Sequence, residues 1–272
     1  PYELHPLKTS KALASLNELC NGRANILVGG PTGVMGVMGI NPTRMVGMVG
    51  ECVEILKAVG PEKTLNYGGK HFQVWGYRPT WATATPPVIY VGANKEQMLG
   101  MAARVGDGIM LGDMTAPRLA TALATIDRGL AAAGRRRADV RISGLVAWHV
   151  KQERGEARAE ARRHLALRGM LDPWYLQPFL SEEECRFVET HRGAFFKAYK
   201  NSTPVIDGVP DSIIDKIIEN LTCTGDLEDL DRHIGRLKSF RDMGLKEVSL
   251  KLHRDQADAI RIIGEKVVPA LR

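Results

Sequence analysis

The sequence predicts an α/β fold with a main sheet of parallel strands covered by helices on both faces. Three observations carry that expectation. Short apolar runs recur along the chain, almost every one is followed by a segment of helical periodicity, and no interdomain linker, repeat or low-complexity tract interrupts the alternation. With 272 residues, 44% of them hydrophobic and 25% charged, the composition is ordinary for a globular protein and suits one large domain over residues 1–272.

Leu7–Leu19 is a helix because Leu7, Leu13, Leu16 and Leu19 fall at helical spacing and Gly22 supplies a stop. Ala24–Val28 is a short buried strand that ends in Gly29-Gly30-Pro31-Thr32-Gly33. After a Gly- and Met-rich loop, Pro42–Val59 is a second helix with Met45, Val49, Val53 and Leu56 on one stripe. Leu65–Tyr77 differs: Tyr67, His71, Phe72, Val74 and Trp75 surround Gly68-Gly69, which marks a β-hairpin outside the main pattern. Regular alternation then gives strand Pro87–Val91, helix Lys95–Arg104, strand Gly108–Leu111, helix Pro117–Ala133 and strand Val140–Val150. A long helical region covers Arg154–Arg168, Ser181–Tyr199 and Pro210–Asn220, read as an insertion at 151–225. Helix Leu227–Met243, strand Glu247–Leu252 and helix Asp255–Leu271 complete the order. That makes five strands in the main sheet, and right-handed crossovers allow either an open doubly wound sheet or a barrel.

No run approaches the roughly 18 apolar residues that cross a bilayer. The start, Pro1-Tyr2-Glu3-Leu4-His5-Pro6, lacks the basic and apolar segments of a signal peptide. Cys20, Cys52, Cys185 and Cys223 are scattered and form no C-x-x-C pair, which fits reduced thiols in a cytoplasmic protein. The net charge of +6 raises nucleic acid as a partner, but the basic residues do not cluster with aromatics. Arg135-Arg136-Arg137 sits where cations suit a helix end, and Arg154–Arg168 alternates Arg with Glu and Ala as a solvated face. The expectation is therefore no membrane and no nucleic acid, with a positive field that suits anionic coenzymes.

Three segments, kept in order, point to a family. His5-Pro6-Leu7 running into Ala12–Arg23 resembles the third-helix signature of the bacterial luciferase-like superfamily. Pro86–Asn94 followed by Ala102-Ala103-Arg104-Val105-Gly106-Asp107-Gly108 resembles its central strand-helix-strand unit, and Thr224-Gly225-Asp226 with Asp242–Val248 resembles its approach to the last strand. The resemblance implies a TIM-type (β/α)8 barrel that uses the deazaflavin coenzyme F420 or, alternatively, FMN. Pro210-Asp211-Ser212-Ile213-Ile214-Asp215 leans it toward the methylenetetrahydromethanopterin reductase-like branch. In such proteins the His-Pro segment follows the third strand, so the resemblance implies an N-terminally incomplete barrel holding only about its last five strands. A homodimer is expected by the same analogy.

Two loops at strand ends are the coenzyme candidates, since barrels bind there. Gly92-Ala93-Asn94-Lys95 offers free N–H groups at a helix start, with Asn94 as a cap and Lys95 as added charge; a plain strand-helix turn is the alternative. Gly112-Asp113-Met114-Thr115 is the other phosphate-loop candidate, although Thr115 before Pro117 is also simply a good helix cap. Gly29, Gly30, Pro31 and Thr32 lie where the resemblance places backbone beside the coenzyme ring, and glycines let the main chain approach a flat ring; a mobile Gly-rich loop is the alternative. Thr32-Gly33 stands where some sugar-phosphate dehydrogenases of the family carry an acidic residue.

His149, near the end of its strand, is the candidate for proton transfer after hydride delivery, against a structural, hydrogen-bonded role; His253 has the same two readings, and His5 reads as structural. Met35 and Met38 are open between an apolar substrate pocket and core packing, Met45 and Met48 read as core, and Trp174, Tyr175 and Phe179 as a lid or an oligomer contact. No His/Cys/Asp/Glu set has metal-ligand spacing and no G-x-S-x-G elbow is present. The expected activity is hydride transfer between bound F420 and a small organic substrate. The rivals are an FMN-dependent monooxygenase and a noncatalytic barrel subunit.

Overall fold

The computed structural model describes residues 1–30 and 34–272; Pro31, Thr32 and Gly33, with the side chains of Val34 and Val37, lie outside it. The chain divides into two compact units, residues 1–110 with 122–142, and residues 111–121 with 143–272.

The first unit holds α1 (Pro6–Leu19), β1 (Asn25–Val28), α2 (Val34–Val37), α3 (Met45–Ala58), the hairpin β2 (Leu65–Gly68) and β3 (Gln73–Tyr77), β4 (Val88–Gly92), α4 (Glu96–Val105), the start of β5 (Gly108–Gly112) and most of α5 (Ala116–Ala132). Pro6 sits in the first turn of α1, where a missing N–H costs nothing, and the His5 ring accepts the Leu7 N–H at 3.2 Å. His5 is thus structural, as expected. β1 pairs in parallel with β4 from Asn25 opposite Val88 to Val28 opposite Val91, and β4 pairs in parallel with β5. The hairpin is antiparallel, and its tip is held by the Glu51 carboxylate of α3, which accepts the N–H groups of Lys70, His71 and Phe72 at 2.8, 2.9 and 3.0 Å.

Packing explains the Val105–Gly108 stretch. A Cβ on Gly106 would meet the Gly108 carbonyl at 2.9 Å, and one on Gly108 would strike the Tyr90 ring. Between them Asp107 accepts the Ile89 N–H at 3.0 Å and pairs with Lys57 at 2.6 Å. Arg135 donates to the carbonyls of Ala103, Arg104 and Gly106, which satisfies the C-terminal end of α4.

The second unit holds the end of β5, the first residues of α5, and β6 (Arg141–Val150) from Ser143 onward. It continues with α6 (Arg154–His164), α7 (Pro173–Leu176), α8 (Glu182–Thr190), α9 (Arg192–Lys200), α10 (Asp211–Leu221), β7 (Thr222–Gly225), α11 (Leu230–Asp242), β8 (Glu247–Lys251), α12 (Gln256–Ile262) and α13 (Val268–Leu271). β6 pairs in parallel with β8 over Ser143–Ala147 and with β7 over Ala147–Val150. Helices α6 to α10 enclose a core of their own, with Leu165, Leu171, Leu176, Val188, Phe195, Ile214 and Ile217 at 0–1% exposure. Each such side chain contributes about 1.5–3 kcal/mol by leaving water.

Several expectations need correction. Among the described residues the parallel pairings involve six strands rather than five, because Thr222–Gly225 is a strand. The helical region therefore closes at Leu221, short of the expected 225. The Ser181–Tyr199 helix is two, broken at His191, and the last helix passes through a π turn at Ile263–Val267. Met45 is 43% exposed, so packing does not explain it, whereas Met48 packs against the hairpin core. Met35 is buried and Met38 exposed. All four cysteines are free thiols. Among the described residues, no helix is long and apolar enough to cross a membrane.

Candidate functional site

At the ends of β1 and β4, in the first unit, the chain presents backbone. The register that sets Val28 opposite Val91 places Gly29 beside Gly92, and a Cβ on Gly92 would stand 3.7 Å from the Gly29 Cα. A Cβ added to Gly29 would meet nothing within 4 Å, and one on Gly30 only the Met98 methyl at 3.9 Å. Among the described residues nothing requires glycine at these two positions. The Ala93 N–H is spent on the Met110 carbonyl at 3.1 Å, so it is not available to a phosphate. The α4 N-cap is Lys95, not Asn94 as expected, and its side chain makes no capping hydrogen bond. Pro31 and Thr32, also expected at the coenzyme ring, lie outside the described residues.

Gly112 and Asp113 belong to the second unit. Asp113 has a left-handed backbone, φ 52°, and its carboxylate accepts Arg168 at 2.8 Å and the Gly169 N–H at 2.7 Å. Burial raises the Asp113 carboxyl above its usual range against the opposing pull of Arg168. This pair anchors the loop after α6. Thr115 is buried, and its hydroxyl has no hydrogen-bond partner among the described residues, so it does not act as a side-chain cap there.

The ends of β6 and β8, in contrast, carry titratable side chains. His149 is 1% exposed, and its Nδ1 lies 2.8 Å from the Glu160 carboxylate of α6. Burial alone would raise the Glu160 carboxyl, but hydrogen bonds from His149 and Lys151 hold it down at about 2. Glu160 is therefore ionised and can only accept, so His149 donates through Nδ1–H and its neutral ring keeps a lone pair at Nε2. His164, one turn after Glu160 on α6, bonds the Glu160 main-chain carbonyl through Nδ1 at 2.8 Å, which fixes the same tautomer by the same logic. His253, just past β8, stacks on both rings, with centroids 3.7 Å from His164 and 5.0 Å from His149. Burial lowers the pKa of all three, that of His253 to about 3, helped by the neighbouring imidazoles. Lys151 bridges Glu160 and Asp255 at 3.0 and 2.9 Å.

Sequence reasoning named His149 and His253 but missed Glu160 and His164. Their stretch was read as a solvated face, whereas Glu160 is 2% exposed. The signal was present: Ala157 and Ala161 are buried beside Glu160, and such small residues let α6 approach closely enough to bury a carboxylate. Of the aromatic candidates in the helical region, Trp174 lies under the Arg118 guanidinium at 4.4 Å, Tyr175 packs on Gly169, and Phe179 packs on the helical core.

Residues 1–247 match the model of a family described as luciferase-like monooxygenase. The chain belongs to that luciferase-like family. It is 28% identical over 278 residues to 5,10-methylenetetrahydromethanopterin reductase of Archaeoglobus fulgidus, a match covering 100% of this chain and 81% of that protein. Among solved structures it is similar to the coenzyme F420-dependent tetrahydromethanopterin reductase of Methanopyrus kandleri, with a TM-score of 0.76 at 18% identity over 100% of this chain and 81% of that one. It is similar also to an F420-dependent secondary alcohol dehydrogenase in complex with an F420-acetone adduct, with a TM-score of 0.73 at 20% identity over 98% and 75%. These likenesses show the fold, the parallel α/β arrangement of luciferase-like TIM-barrel proteins.

Proposed function

We propose that this luciferase-like protein is an oxidoreductase that transfers hydride between coenzyme F420 and a small organic substrate. The observation that carries the reading is the match along the whole chain to a methylenetetrahydromethanopterin reductase, joined by the same fold in two F420-dependent enzymes. When bound, the deazaflavin supplies the hydride chemistry, and the protein binds, orients and shields it. The open space beside Gly29 and Gly30 suits a flat ring against the main chain, and the first turn of α4 with Lys95 suits an anionic tail. The protein works in the cytoplasm as a homodimer, without nucleic acid.

Fluorescence or calorimetric titration with F420 and, separately, FMN tests the proposal. Tight F420 binding, weakened by Gly29→Ala or Lys95→Ala, supports it. Preference for FMN moves the chain to the oxygen-using monooxygenases of the family. Binding of neither coenzyme leaves a noncatalytic barrel subunit.

A further inference from the structure

We propose that His149, His164 and His253 bind one divalent transition-metal ion of zinc-like chemistry. One ring nitrogen from each lies within 4.8 Å of the others. The hydrogen bonds already described orient two of the rings as metal-site imidazoles are oriented. His149 Nδ1–H is held by a carboxylate and His164 Nδ1–H by a main-chain carbonyl, which leaves both Nε2 atoms as lone-pair donors. The Nε2 atoms of His149 and His253 are buried without a hydrogen-bond partner among the described residues. An orphaned buried nitrogen destabilises the fold, and a metal bond removes that cost at both positions.

The geometry requires one adjustment. The rings are near-parallel, 10° between His149 and His253 and 26° between His164 and His253, so His253 must turn out of the stack to aim its lone pair at a shared ion. That turn breaks no Nε2 hydrogen bond. Tetrahedral zinc with Zn–N distances of about 2.0–2.1 Å sets its ligand nitrogens roughly 3.4 Å apart, so side-chain rotation has to draw these atoms in by ~1.4 Å at most. Neutral imidazoles suit zinc, cobalt, nickel and copper over the harder cations that prefer oxygen.

Three protein nitrogens leave a fourth position open. His164 and His253 line a cavity of about 450 Å³ together with Arg163, Lys200 and Arg254. Those cations disfavour a bare dication and favour one whose fourth ligand is an anion, such as a carboxylate or phosphate oxygen. The metal site stands apart from the coenzyme reading, because its ligands come from the ends of β6 and β8 and from α6 alone.

The test is titration of the chelator-stripped full chain with Zn²⁺ by calorimetry, and with Co²⁺ by visible absorption, both without coenzyme. The expected result is one ion per chain, tetrahedral Co²⁺ bands and a rise in Tm on loading. His164→Gln and His253→Gln, both at half-buried positions, are expected each to weaken binding by more than the roughly 10–100-fold that removing an outer partner costs, with Glu160→Gln inside that range. His71→Gln, on the hairpin, leaves binding unchanged. Should His149→Gln fail to fold, the other two ligand variants carry the test. Absence of saturable binding in the unaltered chain, or binding that survives in His164→Gln and His253→Gln, overturns the proposal. A preference for F420 or for FMN would change neither outcome.

Discussion

At the ends of β1 and β4 the chain offers open space and main-chain donors; at the ends of β6 and β8 it offers buried, mutually bonded side chains. The first region has two glycines that no described side chain crowds, and the α4 N-terminus carries the exposed Lys95. The second has a carboxylate, a lysine and three imidazoles in direct contact, with the carboxylate bonded to one imidazole and to the lysine. The difference separates binding from stability. On the proposed function, changes at the first region act on coenzyme binding and barely on folding, whereas changes at the second act on folding first.

The largest expected effect follows from breaking the buried ion cluster. Glu160→Ala leaves Lys151 and His149 without their shared partner and should cost about 3–5 kcal/mol in urea unfolding. A loss below about 1 kcal/mol would show that water reaches the cluster and that the contrast between the regions is false.

Acid should weaken the second unit as well, by a defined sign. His233 on α11 is buried against the Thr224 carbonyl, and burial lowers its pKa from 6.5 to about 4. The native ring stays neutral while the unfolded one takes a proton. This contribution is complete above about pH 6.5 and is lost as pH falls toward 4, amounting to ~2 kcal/mol between pH 7.5 and 5. Removing the imidazole in His233→Gln should flatten that slope in denaturation curves measured across the range.

Gly29→Ala sharpens the other side of the comparison. With no described residue within 4 Å of the new methyl, stability should hold or rise by about 0.4–1 kcal/mol, while F420 affinity falls roughly tenfold or more. Unchanged affinity would remove the ring from this strand end. The smallest effect is expected for Lys95→Ala, whose exposed charge near a helix start is worth about 0.3–1 kcal/mol to a bound anion, visible as a few-fold rise in Kd that fades with added salt.

Most of the α/β alternation was legible because apolar strands and amphipathic helices are local patterns. Leu65–Tyr77 was recognised as a hairpin from its aromatics and its Gly pair, and its pairing agrees. Thr222–Gly225 was lost because α10 runs directly into it without a loop, and two threonines and a cysteine do not look like an apolar run. The threonines are buried or half-buried all the same, with their hydroxyls bonded to each other at 2.7 Å. The histidine cluster was half legible. His149 and His253 stood out at strand ends, but nothing local ties either to Glu160, whose neighbours are mostly charged and whose burial depends on what α6 packs against. Asn94 was misplaced as a cap by one residue, which is the usual margin at a helix start.

The pairing of β6 with β8 also orders events in time. Ser143 and Ser249 meet across 106 positions, and the intervening chain must fold or be held before β8 can settle. His149 and Glu160 are only 11 positions apart, so their bond can form early and cheaply. His253 joins the other two rings only once β8 has docked, since its place in the stack depends on a contact of high sequence separation. The third ring thus ties the stack to a contact of high sequence separation, with a loop-closure cost that the short-range His149–Glu160 bond does not carry.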